Sequence, residues 1–272
     1  MRYILSREVR VLDLWFYVVI GFLQGVFEWL PVSSKSVLML FAGLAGDVSV
    51  LESYFLALTL QGSTVVSAAV FFRRVLLRLF RQDSLLEFLV VSTVVTGVLG
   101  VPIYVVVQVF LRGLEFSVAT LLIGLLLLFQ YFVRRGGRGG FKTAENVSLV
   151  DSVLFGVAQS LAVLPGVSRS GATIAALVFM GYGLEDAMKL SFLASIPANL
   201  GGALLAFSTS NVSVTEPFSG LMLAFAVSAV VGLLTIKYLM SFSLKHSQEL
   251  ILLMSLITIA TGLSWLVLGR LR

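Results

Sequence analysis

The chain has 272 residues, of which 58% are hydrophobic and only 12% charged, with a formal net charge of +5; a soluble domain would carry about a quarter charged residues. These proportions exclude an ordinary soluble globule and point to an integral membrane protein. No cysteine is present and there is a single histidine, which excludes disulfides, thiolate catalysis and zinc-type histidine motifs.

At the amino end, Arg2, Arg7 and Arg10 precede an apolar run, but no small-residue cleavage site follows 14–27, so the segment is expected to stay with the protein. Residues 13–30 lead into the polar tip "PVSSKS" and then into only about ten apolar residues, Val37 to Gly46. Three long apolar runs follow, at 51–72, 85–111 and 114–133. The pattern then repeats: 150–164, the tip "PGVSRSG", a short arm from Ala172 to Gly181, and runs at 185–208, 217–241 and 247–268. The runs lack the alternation of barrel strands, so helices are expected to span the bilayer. Ten helical residues rise about 15 Å, half of a hydrocarbon core of roughly 30 Å, so each short arm reaches the midplane and turns back.

The expected fold is therefore all-α: one membrane domain, 1–272, of six transmembrane helices plus two re-entrant helical hairpins. Gly21, Gln24, Val32 and Ser33 recur 135 residues later as Gly156, Gln159, Val167 and Ser168, and the tips share Pro31 and Pro165. A hairpin returns to its own side and three spans cross an odd number of times, so units 13–134 and 148–268 form an inverted-topology repeat. Cytoplasmic placement of Arg73, Arg74, Arg78, Arg81, Arg134, Arg135, Arg138, Lys142, Lys237 and Lys245 satisfies the positive-inside rule, although Arg2, Arg7, Arg10, Arg270 and Arg272 then lie outside. The first hairpin then opens outward and the second inward.

Irregular backbone at membrane depth is tolerated where it is buried in protein or lines a wet cavity, so the two tips are expected to build one polar chamber. Gln24 and Glu28 share a helix face one turn before Pro31. An intramembrane carboxylate is costly and reads as functional; the plainer alternative is a Glu28–Arg169 ion pair that only latches the hairpins. In the second tip, Ser168, Arg169, Ser170 and Thr173 open a short helix whose N–H groups, hydroxyls and guanidinium suit a phosphate, whereas the serines alone would read as caps. Lys35 reads equally as a phosphate contact or a snorkelling side chain, Asn199 as a polar contact near the chamber beside Pro197, and His246 as a solvated loop residue.

The pairing of "QGVFEWLPVSS" (24–34) with "PGVSRSGAT" (165–173) resembles the undecaprenyl-diphosphatase, or bacitracin-resistance, family, and "FFRRVLLRLF" and "SFLASIPANLGG" extend the likeness over most of the chain. The resemblance implies a membrane enzyme that removes the terminal phosphate from a C55 polyprenyl diphosphate at the extracytoplasmic face of the plasma membrane, recycling the lipid carrier. It implies Gln24 and Glu28 as the family's glutamate-rich motif, Ser34 as its serine after the proline, and Ser168, Arg169, Ser170 and Thr173 as its phosphate-binding motif. The family commonly continues Ser-Ser-Thr-Gly-His, where this chain reads Ser33, Ser34, Lys35, Ser36 and Val37, so valine stands at the histidine position.

The expected reaction is metal-assisted phosphoryl transfer. Glu28, Ser34 and Arg169 are the catalytic candidates, Ser33, Lys35, Ser168, Ser170 and Thr173 join Arg169 on the substrate, and Glu28 with Gln24 would bind Mg²⁺ or Ca²⁺. The nucleophile is metal-bound water or Ser34. The expected partners are the polyprenyl diphosphate, membrane lipids and a second copy in a homodimer, with no nucleic acid. Two alternatives stay open: a polyprenyl-phosphate transporter or flippase, and a silent binder of lipid diphosphates.

Overall fold

The computed structural model describes residues 14–46, 48–79, 83–135, 140–145, 147–209 and 218–269. The expectations placed on residues 1–13, Arg81, Arg138, Arg270, Arg272 and the side chains of Arg134 and Arg135 lie outside the described residues. Helices α1 (Leu14–Phe27) and α2 (Ser34–Ala45) form a first pair, followed by α3 (Val50–Phe71), a one-turn α4 (Arg73–Leu76), α5 (Asp83–Leu111) and α6 (Phe116–Arg135). A second pair, α7 (Leu149–Ser160) and α8 (Arg169–Phe179), is joined through a 3₁₀ turn at Leu161–Val163, and α9 (Leu184–Thr209) follows. Helices α10 (Phe218–Ser243) and α11 (Gln248–Val267) complete the fold; they meet at His246, where φ −122° and ψ 20° leave the helical region.

Five of these helices, α3, α5, α9, α10 and α11, are long and apolar enough to cross a membrane, and the chain is a multi-pass membrane protein. The apolar part of α6, Phe116–Phe132, is shorter than the other five. The surface of α5 shows what solvent it was built for. Val90, Val94, Val98, Val101, Val105 and Val109 recur at intervals of three and four and are all exposed, whereas the buried face holds Phe88, Ser92 and Tyr104. An apolar stripe facing outward is stable only against lipid tails.

Helix α3 has the opposite character and runs through the centre. It buries Ser53, Gln61, Ser63, Thr64 and Ser67, most of whose hydroxyls bond back to carbonyls of their own helix. Ser63 also meets Ser228 Oγ of α10 at 2.6 Å, and Ser67 donates to the Ala229 carbonyl at 2.7 Å. These contacts satisfy the hydroxyls between helices, where no water competes.

Two glycines one turn apart set α1 against α10. A Cβ on Gly21 would lie 2.4 Å from the Ala224 carbonyl oxygen, and one on Gly25 would lie 2.8 Å from that of Ser228. Any side chain there would push the backbones apart, as in the small-residue contacts of membrane helices. The close approach fixes the face of α1 that carries Gln24, and hence where Glu28 arrives.

Each helix pair breaks at a proline and restarts on a serine cap. Ser33 accepts the Ser36 N–H at 3.4 Å to start α2, and Ser168 accepts the Gly171 N–H at 3.1 Å to start α8. The second tip turns on Gly166, whose φ of 97° favours glycine and whose missing Cβ would sit 3.0 Å from the Ile123 backbone of α6.

Candidate active site

Glu28 leaves α1 in a last turn, its N–H on the Gln24 carbonyl at 3.2 Å, and its carboxylate is buried between the tips. Four side-chain donors converge on it. Oε2 accepts from Gln24 Nε2 at 3.1 Å and Ser34 Oγ at 2.8 Å, and Oε1 accepts from Arg169 Nη2 at 3.1 Å and Asn199 Nδ2 at 2.8 Å. The predicted Glu28–Arg169 pair is thus present, and Asn199 contacts the carboxylate itself.

Arg169 opens α8. It also donates Nη1 to the Ser191 carbonyl at 2.9 Å and lies over the Phe192 ring, 5.8 Å from its centroid. Thr173 is one turn on, sharing a hydrogen bond of 2.7 Å with Ser191 and donating to the Arg169 carbonyl at 2.8 Å. Thr173 therefore braces the arginine from behind. The Arg169 Nε–H has no partner among the described residues.

The two tips hold each other through backbone groups. Ser170 Oγ donates to the Leu30 carbonyl at 3.1 Å, Gly166 N–H donates to Ser36 Oγ at 3.1 Å, and Lys35 Nζ donates to the Ala162 carbonyl. Gln130 of α6 bridges both: its Oε1 accepts the Ser168 N–H at 3.0 Å and its Nε2 donates to the Pro31 carbonyl at 3.4 Å. Tyr54 of α3 caps the Val163 carbonyl at 2.9 Å. Breaks at Pro31 and Pro165 free these carbonyls, and the opposite tip and neighbouring helices satisfy them.

Between the tips lies a small polar cavity lined by Glu28, Ser33, Ser34, Lys35, Gln61, Ser168, Arg169 and Ser170, with Val32 and Val167 as its apolar members. Seven of the nine residues named from sequence thus line one space. Gln24 and Thr173 stand behind it, orienting Glu28 and Arg169. Val37 is not among the lining residues, and His246 is exposed at the α10–α11 junction with its ring 4.8 Å from that of Phe242. Sequence reading missed Gln61, Gln130 and Ser191. For Gln130 the signal was there: an amide alone in the apolar run "LLLLFQYF" has to find partners inside the protein.

The family model for bacitracin resistance protein BacA matches residues 17–262. The chain belongs to this family. It is 33% identical to an undecaprenyl-diphosphatase of Sulfurisphaera tokodaii over 240 residues, which covers 86% of this chain and 91% of that one. Proteins of the same description from Pyrobaculum aerophilum and Haloarcula marismortui are 34% and 38% identical over 263 and 232 residues, covering 93% and 80% of this chain and 98% and 86% of theirs.

As a seat for Mg²⁺ or Ca²⁺, the pair Glu28 and Gln24 fits poorly. Both carboxylate oxygens are each taken by two donors, and one of those donors is the Arg169 guanidinium. Gln24 turns its amide nitrogen toward Glu28, and its oxygen has no partner among the described residues. A hard cation needs several oxygens aimed at one point, and among the described residues no group of three acidic or histidine side chains supplies them.

Proposed function

We propose that the chain is a membrane phosphatase that hydrolyses an undecaprenyl-type diphosphate to the monophosphate and inorganic phosphate, returning the lipid carrier for reuse. The observation that carries the reading is the buried Glu28 carboxylate, with the Ser34 hydroxyl and the Arg169 guanidinium on its two oxygens, at one polar cavity. Membership of the family and the likeness to undecaprenyl-diphosphatases support it.

Ser34 Oγ is the nucleophile in this scheme. It donates to Glu28 Oε2 at 2.8 Å, the nucleophile-to-base contact that acyl and phosphoryl transfer require. Oγ attacks the terminal phosphorus, its proton passes to Glu28, and the bond to the bridging oxygen breaks; the departing lipid monophosphate takes the proton. Water then attacks the phosphoserine, giving its hydroxyl to phosphorus and a proton, through Glu28, to Ser34 Oγ. The serine and carboxylate are restored and one water is consumed. Arg169, with Ser168 and Ser170 at the start of α8, holds the equatorial oxygens, and Ser33 flanks the same phosphate from the first tip.

The membrane arrangement proposed with this reading is six spans and two re-entrant pairs in inverted units 13–134 and 148–268, at the plasma membrane, with the site open to the extracytoplasmic side. The 20 residues of α6 rise about 30 Å, enough for a sixth span, whereas the 14 of α1 and 12 of α2 rise only about 21 and 18 Å. Matching caps at Ser33 and Ser168 support the repeat.

The test is phosphate release from undecaprenyl diphosphate by the detergent-purified chain. Glu28→Gln, Ser34→Ala and Arg169→Ala should each remove most activity while protein is still recovered folded. Wild-type-like turnover in any of them would refute its role, and movement of labelled lipid phosphate across liposomes without phosphate release would favour a transporter.

A further inference from the structure

Among the described residues, four charged side chains are buried: Glu28, Lys35, Asp151 and Arg169. Asp151 lies apart, paired with Lys142 at 3.2 Å and with the Tyr182 hydroxyl at 2.8 Å. The other three share the cavity, where two cations face one carboxylate, an excess of one positive charge. Glu28 is committed to Arg169, so Lys35 has no ion pair among the described residues.

The surplus sits where a ligand would meet it. Lys35 is 2% exposed, lines the cavity and spends one donor on the Ala162 carbonyl, out of the three that an ammonium carries. Arg169 is 7% exposed, lines the same cavity and keeps its buried Nε–H without a partner among the described residues. A buried cation with unmet donors is costly unless an anion completes it. A diphosphate monoester brings roughly three negative charges and only acceptor oxygens. It matches both deficits at once, whereas a divalent ion would enlarge the charge excess.

We infer that Lys35 and Arg169 together supply the cationic charge that offsets the diphosphate, and that phosphoryl transfer at this site runs without a divalent metal. Lys35 enters from the first tip and Arg169 from the second, so a diphosphate in the cavity is held between cations from both tips. The inference rests on the phosphatase reading for its chemistry, but its binding half is independent of turnover.

The experiment uses the full chain in detergent, treated with EDTA and dialysed into metal-free buffer. Phosphate release from undecaprenyl diphosphate is expected to change less than about twofold on chelation or on adding Mg²⁺ or Ca²⁺. Lys35→Met, which keeps an unbranched apolar stem, should lower kcat roughly a hundredfold, and Lys35→Arg should recover much of the loss. In parallel, methylenediphosphonate, which is not hydrolysed, should bind the wild-type chain in EDTA and bind Lys35→Met at least tenfold more weakly. Activity lost to EDTA and regained with metal would overturn the inference and leave the phosphatase reading standing. Phosphate release absent under every condition would defeat that reading instead, and diphosphonate binding that requires metal or ignores Lys35 would overturn the inference on its own. The chelation result on the wild-type chain decides the matter even if Lys35→Met fails to fold.

Discussion

The two tips share a backbone plan and differ in what they present to the cavity. Each breaks at a proline and restarts on a serine cap, Ser33 or Ser168, with a buried glutamine on the entering helix, Gln24 or Gln159. After the caps the residues diverge: Ser34 and Lys35 stand where the second tip has Arg169 and Ser170. Four residues past Gln24 is Glu28, and four past Gln159 is the apolar Val163. One backbone plan thus delivers a serine hydroxyl and a carboxylate from one side and a guanidinium from the other. Neither tip alone is a site, since Glu28 is completed by Arg169 and Asn199, and the Leu30 and Ala162 carbonyls are each capped by the opposite tip.

The sharpest way to break this comparison is to remove the charges in turn. Arg169→Leu leaves Glu28 buried without its cation and should destabilise the protein by about 3–5 kcal/mol, read as a lower melting temperature in detergent. Glu28→Leu should cost a similar amount. The double variant should regain most of the stability, because two apolar side chains replace a fully desolvated pair, yet remain inactive. If activity returns together with stability, the pair is a latch between hairpins and the chemistry lies elsewhere.

Much of this arrangement could be read from the residues, for physical reasons that also mark where reading stopped. Composition and run length identify membrane helices because lipid tolerates little else over 20 residues. Short arms next to Pro31 and Pro165 signal the breaks because ten helical residues cannot cross the bilayer. Glu28 and Arg169 stand out because burial makes charge expensive. The missed residues, Gln61, Gln130 and Ser191, are neutral and lie on α3, α6 and α9, so only the packing of those helices around the tips reveals what they touch. The partner of Lys35 was equally hidden: it is a backbone carbonyl 127 residues away, released by the 3₁₀ turn at Leu161–Val163.

Gln130 sharpens the comparison by testing whether the tips act as one body. It is the side chain that binds the Pro31 carbonyl of one tip and the Ser168 N–H of the other. Gln130→Leu should cost about 1–3 kcal/mol through the groups left unpaired. Because it touches no lining carboxylate or cation, its kinetic effect should fall on kcat, through misplacement of Arg169 relative to Ser34, with KM changed less. Gln130→Glu keeps the acceptor for Ser168 but sets a buried carboxylate against the Pro31 carbonyl, and should cost at least as much as Gln130→Leu. Equal kcat in all three proteins would show that α6 merely packs against the tips.

The smallest expected difference separates the two repeated glutamines. Gln24 Nε2 donates to Glu28 at 3.1 Å, so it orients the cavity's carboxylate, while Gln159 Nε2 donates to Thr96 Oγ1 of α5 at 3.0 Å, away from the cavity. Neither amide oxygen has a partner among the described residues, so truncation removes one made bond and one unmet group in each case. The stability cost should therefore be alike, about 1 kcal/mol, for Gln24→Ala and Gln159→Ala. Activity should not be alike. Gln24→Ala should lower kcat about tenfold by freeing Glu28 Oε2 to rotate away from Ser34, and Gln159→Ala should stay within about twofold of wild type. The same residue at the matching place in the two tips would then differ in effect only because a carboxylate follows it in one and a valine in the other.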